Sequence, residues 1–300
     1  MEYYFPPSMD RVEKEVEFHQ KKKAELAQIF EVYKSILKVQ LAYPDKIKSS
    51  FNNLSEEEIK DYFRKGKYLF SDQKPIIDRV LFLEILQSIC KAILKASPKA
   101  PETLLTLSST EEFEEDRFEG FLQDILLFDK QELEKYIEEK NMDKKTNLNS
   151  EIISFVIFMS LDPFYGVNMK AVRDTVGFSI WHQGYCPICG QTAVIAKHRK
   201  EDGARVLECW LCHAEWVYPR LECPYCDNKD QKKLRFFYVP GDKARQVHVC
   251  EICKKYLKTI DTRVLEKEVI LGVEAIATGY LDVLAEREGY QLPGRSAMLN

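Results

Sequence analysis

Eight of the nine cysteines of this chain lie between Cys186 and Cys253, in four C-x-x-C pairs: Cys186/Cys189, Cys209/Cys212, Cys223/Cys226 and Cys250/Cys253. Two intervening residues let one tight turn bring both sulfurs to the same side, each about 2.3 Å from a shared metal ion. Two such turns complete a four-sulfur site, so four turns make two sites. A disulfide scaffold is the competing reading. It requires an oxidising compartment, and the first residues, MEYYFPPSMDRVEKEVE, lack the basic segment and apolar run of a secretory signal. A thioredoxin-like redox pair sits between a strand and a helix, whereas these pairs sit between short runs of β-forming residues.

The spacing also suggests which pairs share a metal. Nineteen residues separate Cys189 from Cys209, and twenty-three separate Cys226 from Cys250. The first gap holds strand-like segments at 192–196 and 206–208 about the turn Lys200-Glu201-Asp202-Gly203. The second holds 236–239 and 247–249 about Pro240-Gly241-Asp242. Each half therefore reads as knuckle, strand, turn, strand, knuckle, a zinc-ribbon or rubredoxin-like module repeated in tandem. One site would be Cys186, Cys189, Cys209 and Cys212; the other Cys223, Cys226, Cys250 and Cys253. An interleaved pairing stays open but needs longer loop closures. Only ten residues separate Cys212 from Cys223, which places the modules side by side.

The residues before the first pair read as helix throughout. One helix is expected over 10–41. A second opens at the capping box Ser55…Glu58 and runs toward Gly66. A third starts at Pro75, with Ile76, Val80, Leu83, Leu86, Cys90, Ile93 and Leu94 on one face, where Cys90 is a small buried hydrophobe. Ser109-Thr110-Glu111-Glu112 opens a fourth, ending near Phe128-Asp129, and a short charged one covers 130–140. Asn149-Ser150-Glu151 caps an apolar helix that Asp162-Pro163 interrupts, and a weaker helix follows over 167–176. Residues 177–185 look like a packed hinge of aromatics between glycines. Residues 254–260 read as a strand, and 268–289 as one C-terminal helix stopped by Gly289. The fold class is α+β: a helical domain at 1–180, metal modules at 181–218 and 219–262, and a C-terminal helix and tail at 263–300.

Hydrophobic content of 45% with 31% charged residues and a net charge of −4 describes a soluble globular chain. The most apolar run, 152–161, is shorter than the roughly 20 residues that cross a bilayer, so membrane insertion is not expected and the setting is cytoplasmic. Residues 181–300 carry 18 Lys and Arg against 16 Asp and Glu. Ribbons that bind nucleic acid are clearly basic, so no nucleic-acid partner is expected. The phosphate-cradling G-x-x-x-x-G-K-[ST] and G-x-G-x-x-G loops, H-E-x-x-H and G-x-S-x-G are missing. His213 follows Cys212, and with four sulfurs already in each site it reads as a supporting residue. A four-thiolate site is closed to water and substrate, which argues against hydrolysis and against an enzyme. Four thiolates hold either zinc or a single iron, so a ribbon-type nucleic-acid binder and a rubredoxin-like redox protein are the alternatives to a binding protein.

Three stretches carry a resemblance: Trp181–Gly190 with Cys186 and Cys189, Leu207–Trp216 with Cys209 and Cys212, and Cys250–Lys258 with Cys253. Together they resemble the FdhE family of formate dehydrogenase accessory proteins. Residues 274–282 and 288–290 are similar to the family's closing helix, with Ala275 where its pattern has an acid. The resemblance covers 181–292. It implies a cytoplasmic maturation factor that binds the catalytic subunit of a molybdenum- or tungsten-dependent formate dehydrogenase. In the C-terminal helix, Glu274, Thr278 and Asp282 recur at a spacing of four and form one polar stripe; this stripe is the expected partner-binding surface.

Overall fold

The computed structural model describes residues 7–126 and 130–294. Helices α1 (Met9–Gln20), α2 (Ala27–Gln40), α3 (Glu56–Arg64), α4 (Arg79–Ala96), α5 (Glu115–Ile125), α6 (Lys130–Glu139), α7 (Met142–Thr146) and α8 (Ser150–Thr175) come first. Strands β1 (Ala193–His198), β2 (Arg205–Cys209), β3 (Glu215–Val217), β4 (Leu234–Tyr238), β5 (Arg245–Cys250) and β6 (Tyr256–Asp261) follow, then α9 (Thr262–Leu265), α10 (Leu271–Ala277) and α11 (Gly279–Arg287). The chain forms two compact units: Met1–Leu26, Asn53–Asp72 and Val172–Asn300 make one, and Ala27–Asn52 with Gln73–Ala171 make the other. The division differs from domains in chain order, because α1 and α3 join the ribbon-bearing unit.

The helical unit is built on α2, α4, α5 and most of α8. Phe82 meets Phe113 and Phe118 with ring centroids 5.5 and 5.3 Å apart, and Phe113 meets Phe121 at 5.1 Å. Cys90 is buried on α4 as expected, and burial pushes its thiol up to about 12. The helix expected from Pro75 begins later, at Arg79, because Asp78 caps it by accepting from the Leu81 amide at 2.8 Å. Ile76 therefore falls outside the helix, and its side chain is 63% exposed. Residues 109–113 form 3-10 turns, and α5 begins only at Glu115. The helix end expected near Phe128-Asp129 lies outside the described residues.

Pro163 does not interrupt α8, contrary to the reading of the sequence. A proline in a helix leaves the carbonyl four residues earlier without its donor. Here that carbonyl belongs to Met159, and the Gln40 side-chain amide donates to it at 3.0 Å. By length and composition α8 could cross a membrane, but 72% of its apolar window is buried inside the protein, as in a core helix.

In the ribbon unit, the single helix expected over 10–41 stops at Gln20, before the run Lys21-Lys22-Lys23, and α2 begins in the other unit. The capping box at α3 forms as expected: Ser55 accepts from the Glu58 amide, and Glu58 accepts from the Ser55 amide. All six strands join one sheet in the order β3-β2-β1-β6-β5-β4. Its neighbours are antiparallel except β1 and β6, which run parallel from Ile195 opposite Lys258 to His198 opposite Asp261. The two ribbons are thus halves of one sheet. Val247, Val249 and Tyr256 pack against Leu281, Ala285 and Tyr290, which lays α11 on the sheet. Ile195 and Ile260 pack against Val269 and Leu271 at the start of α10. The C-terminal helix breaks at Thr278, whose hydroxyl donates to the Glu274 carbonyl at 2.6 Å.

Candidate metal centres

Each C-x-x-C pair forms the same turn. The amide of the first cysteine donates to the carbonyl five residues on, in Gln191, Ala214, Asn228 and Lys255, at 2.8–3.1 Å. The residue four after that cysteine donates back to its carbonyl, at 2.9–3.1 Å. Closing so tight a loop drives this fourth residue into the left-handed region: Gly190, His213, Asp227 and Lys254 have φ of 74°, 57°, 54° and 55°. At Gly190 the constraint is doubled, since a Cβ would stand 3.0 Å from the Tyr68 ring. His213 is therefore a turn residue. Its Nδ1 lies 3.3 Å from Glu208 Oε1, so it supports the turn from outside the sulfur set.

The turns meet in the pairs expected from spacing. Cys186, Cys189, Cys209 and Cys212 form one group and Cys223, Cys226, Cys250 and Cys253 the other, with all sulfurs of a group within 4.8 Å of one another. In the first, Cys186–Cys212, Cys189–Cys209 and Cys189–Cys212 are 3.4, 3.5 and 3.9 Å apart; in the second, Cys223–Cys253 and Cys226–Cys250 are 3.7 and 3.8 Å apart. A tetrahedron with metal–sulfur bonds of about 2.3 Å has edges of about 3.8 Å. Disulfide sulfurs would be only about 2.05 Å apart. Either group could hold a metal ion, and an all-sulfur donor set suits zinc or iron.

The two groups differ in exposure. All four cysteines of the first are buried; in the second, Cys226 and Cys253 are half-buried. The hydrogen bond with Cys223 holds the Cys253 thiol below its ordinary value. The first centre is braced by the segment after α3. Leu69 and Phe70 donate their amides to the Pro187 and Ile188 carbonyls at 3.0 Å, and the Tyr185 hydroxyl donates to the Gly66 carbonyl at 2.7 Å. The hinge aromatic Trp181 is buried against Phe63 of α3, with centroids 5.4 Å apart. The turns of the two centres touch at Gly184, where a Cβ would fall 2.0 Å from the Pro224 carbonyl oxygen.

Comparison with known proteins finds the same fold and a matching central segment. Residues 185–220 match the family model described as FdhE, central domain. A Protein FdhE homolog of Aquifex aeolicus is 27% identical over 151 residues, which are 49% of this chain and 52% of that protein. Another, of Stutzerimonas stutzeri, is 32% identical over 121 residues, 39% of each chain. The crystal structure of the FdhE protein from Pseudomonas aeruginosa superposes with a TM-score of 0.61 over 96% of both chains, at 18% identity, and so shares the fold. These matches make the chain similar to the FdhE family, through the central domain at residues 185–220. The chain aligns with about half or less of the length of these curated relatives.

The polar stripe at Glu274, Thr278 and Asp282 does not lie open to solvent. Glu274 and Thr278 are both 0% exposed. Arg245 donates to both oxygens of the Glu274 carboxylate, each bond 2.8 Å, and His19 Nε2 lies 3.1 Å from one of them. Burial by itself would raise the Glu274 carboxyl, but the bonds from His19 and Arg245 prevail and hold it down to about 2. Asp282 accepts from Lys258 at 2.8 Å and from Tyr256 at 3.0 Å. The stripe therefore fastens α10 and α11 to the sheet and leaves Glu274 and Thr278 no surface to offer a partner. Glu15, His19 and Glu274 also come within 4.8 Å of one another. Glu15 accepts from the Ile270 amide, and burial pushes its carboxyl up to about 7, against the pull of that bond. With Arg245 on both Glu274 oxygens, the cluster is an internal ion-pair network. Its partners lie 29 and 255 residues from Glu274, beyond the reach of any local pattern.

Proposed function

We propose that the chain is an accessory protein of formate dehydrogenase maturation. In this reading it binds the catalytic subunit of a molybdenum- or tungsten-dependent enzyme during cytoplasmic assembly and catalyses no reaction itself. Cys186, Cys189, Cys209 and Cys212 hold one zinc or iron ion, and Cys223, Cys226, Cys250 and Cys253 hold another. The observation that carries the reading is the pair of closed four-sulfur groups on a fold matched along nearly all of its length by an FdhE structure. A closed site offers no position for substrate, so its metal acts by stiffening the turns. The ribbons bury too little to fold firmly alone, and metal binding supplies that energy. The half-buried second centre is the part of this rigid surface that a partner can approach.

The test is a pull-down of the tagged protein from native extract, with metal analysis and a visible spectrum of the same sample. Recovery of the catalytic subunit with two ions per chain is expected; colour marks ferric thiolate, and its absence with zinc present marks zinc. Full formate dehydrogenase activity in cells lacking this protein overturns the assignment, as does an eluate carrying nucleic acid in place of the subunit.

A further inference from the structure

Arg205 opens β2 and is only 4% exposed. A buried charge is ordinarily matched by an opposite charge. Among the described residues Arg205 meets no carboxylate at ion-pair distance: Nη2 donates to the Pro219 and Glu222 carbonyls, the guanidinium stands 5.3 Å from the centroid of the Tyr218 ring, and Nε has no hydrogen-bond partner. Carbonyl groups solvate a cation without neutralising it. Arg205 also lines a cavity of about 30 Å³ with Cys223 and Cys250 in its wall, together with the cations Arg220 and Lys255 and the acidic Glu222. Four thiolates around a divalent metal carry a net double negative charge, and that charge too needs a partner when it leaves water.

We propose that Arg205 is the counter-cation of the second metal–thiolate centre and the side chain that fixes this centre to the first ribbon. The strand that Arg205 opens ends at Cys209 of the first centre. Its guanidinium grips the linker at Pro219 and at Glu222, the residue before Cys223. Tyr218 completes the bracket, with its amide donating to the Arg205 carbonyl at 3.0 Å and its hydroxyl to the Cys223 carbonyl at 3.3 Å. Burial pulls the Arg205 guanidinium down to about 10, and Tyr218, Tyr225, Cys223 and Glu222 pull the other way. A charged metal–thiolate group beside it adds to that second set. For an iron ion, a fixed cation favours the more negative ferrous state and raises the potential.

The inference rests on the metal assignment above, and the experiment separates the two. Wild type, Arg205→Gln and Arg205→Lys are loaded with metal, and release to a chelator is followed while freed thiols are alkylated and located by peptide mass spectrometry. Glutamine loses the charge and, ending two bonds short of Nη2, the bonds to the linker carbonyls; lysine keeps the charge, so the potential reports the charge apart from the bonds. In Arg205→Gln one ion should leave at least ten times faster, exposing Cys223, Cys226, Cys250 and Cys253, with the other ion unaffected. In iron-loaded protein the potential of that centre should fall by about 59 mV for each tenfold loss of ferrous preference, and Arg205→Lys should restore it. Wild-type release and potential in Arg205→Gln overturn the proposal. So does a loss of potential in Arg205→Lys equal to that in Arg205→Gln, or equal loosening of both centres. Wild type carrying fewer than two ions refutes the metal assignment instead.

Discussion

Replacing Glu274 by alanine should destabilise the ribbon unit severely, although the sequence presents Glu274 as a surface residue. The carboxylate is fully buried and occupied by Arg245 and His19. Its removal leaves the Arg245 guanidinium, itself 9% exposed, with Asp242 at 3.4 Å as its remaining carboxylate among the described residues. Breaking a buried pair from one side costs about 3–5 kcal/mol. A carboxyl moved from the ordinary 4.5 to about 2 corresponds to roughly 3 kcal/mol. In a unit of this size each kcal/mol is worth about 2–4 °C, so Glu274→Ala should lower its unfolding temperature by roughly 6–20 °C. Calorimetry at pH 7 measures this directly. Adding Arg245→Met removes the orphaned cation, and the double variant should regain a substantial part of the loss. The folded carboxyl lies below its unfolded value, so its stabilisation is complete above the unfolded value and fades as pH falls toward 2. The gap between wild type and Glu274→Ala should therefore narrow in acid. Unfolding of Glu274→Ala within a degree of wild type at pH 7, or a gap unchanged at the lowest pH where wild type folds, refutes the reasoning.

Gln40→Ala leaves the Met159 carbonyl without its donor beside Pro163 and should cost the helical unit about 1–3 kcal/mol; an unchanged melting temperature would show that Pro163 is accommodated another way. Gly184→Ala pushes a methyl into the Pro224 carbonyl; metal analysis should find the second centre depleted, and two ions with wild-type melting would contradict the close contact. Because Cys226 and Cys253 are half-buried while all four cysteines of the first group are buried, a chelator should strip the second centre first. Thiol labelling that begins at Cys186, Cys189, Cys209 or Cys212 would reverse that order.

The two four-sulfur groups were legible in the sequence because their geometry is local. Two residues between cysteines set the bite, and a strand–turn–strand insert returns the second pair to the first, so the pairing followed from spacing. Cys90 and the α3 capping box were legible for the same reason: each depends on neighbours a turn or two away or on an evident apolar face. Tertiary structure decided what depends on partners far along the chain. Pro163 sits inside an unbroken helix because Gln40, 119 residues from Met159, supplies the missing donor. The two ribbons become one sheet because β6 runs parallel to β1, a pairing that neither ribbon encodes by itself. The periodic stripe of Glu274, Thr278 and Asp282 reads the same whether it faces water or protein. Only Arg245 and Lys258 on the sheet, with His19 from the start of the chain, turn it inward. A periodic pattern places polar side chains on one face of a helix; what lies against that face is settled by the charges that folding brings there.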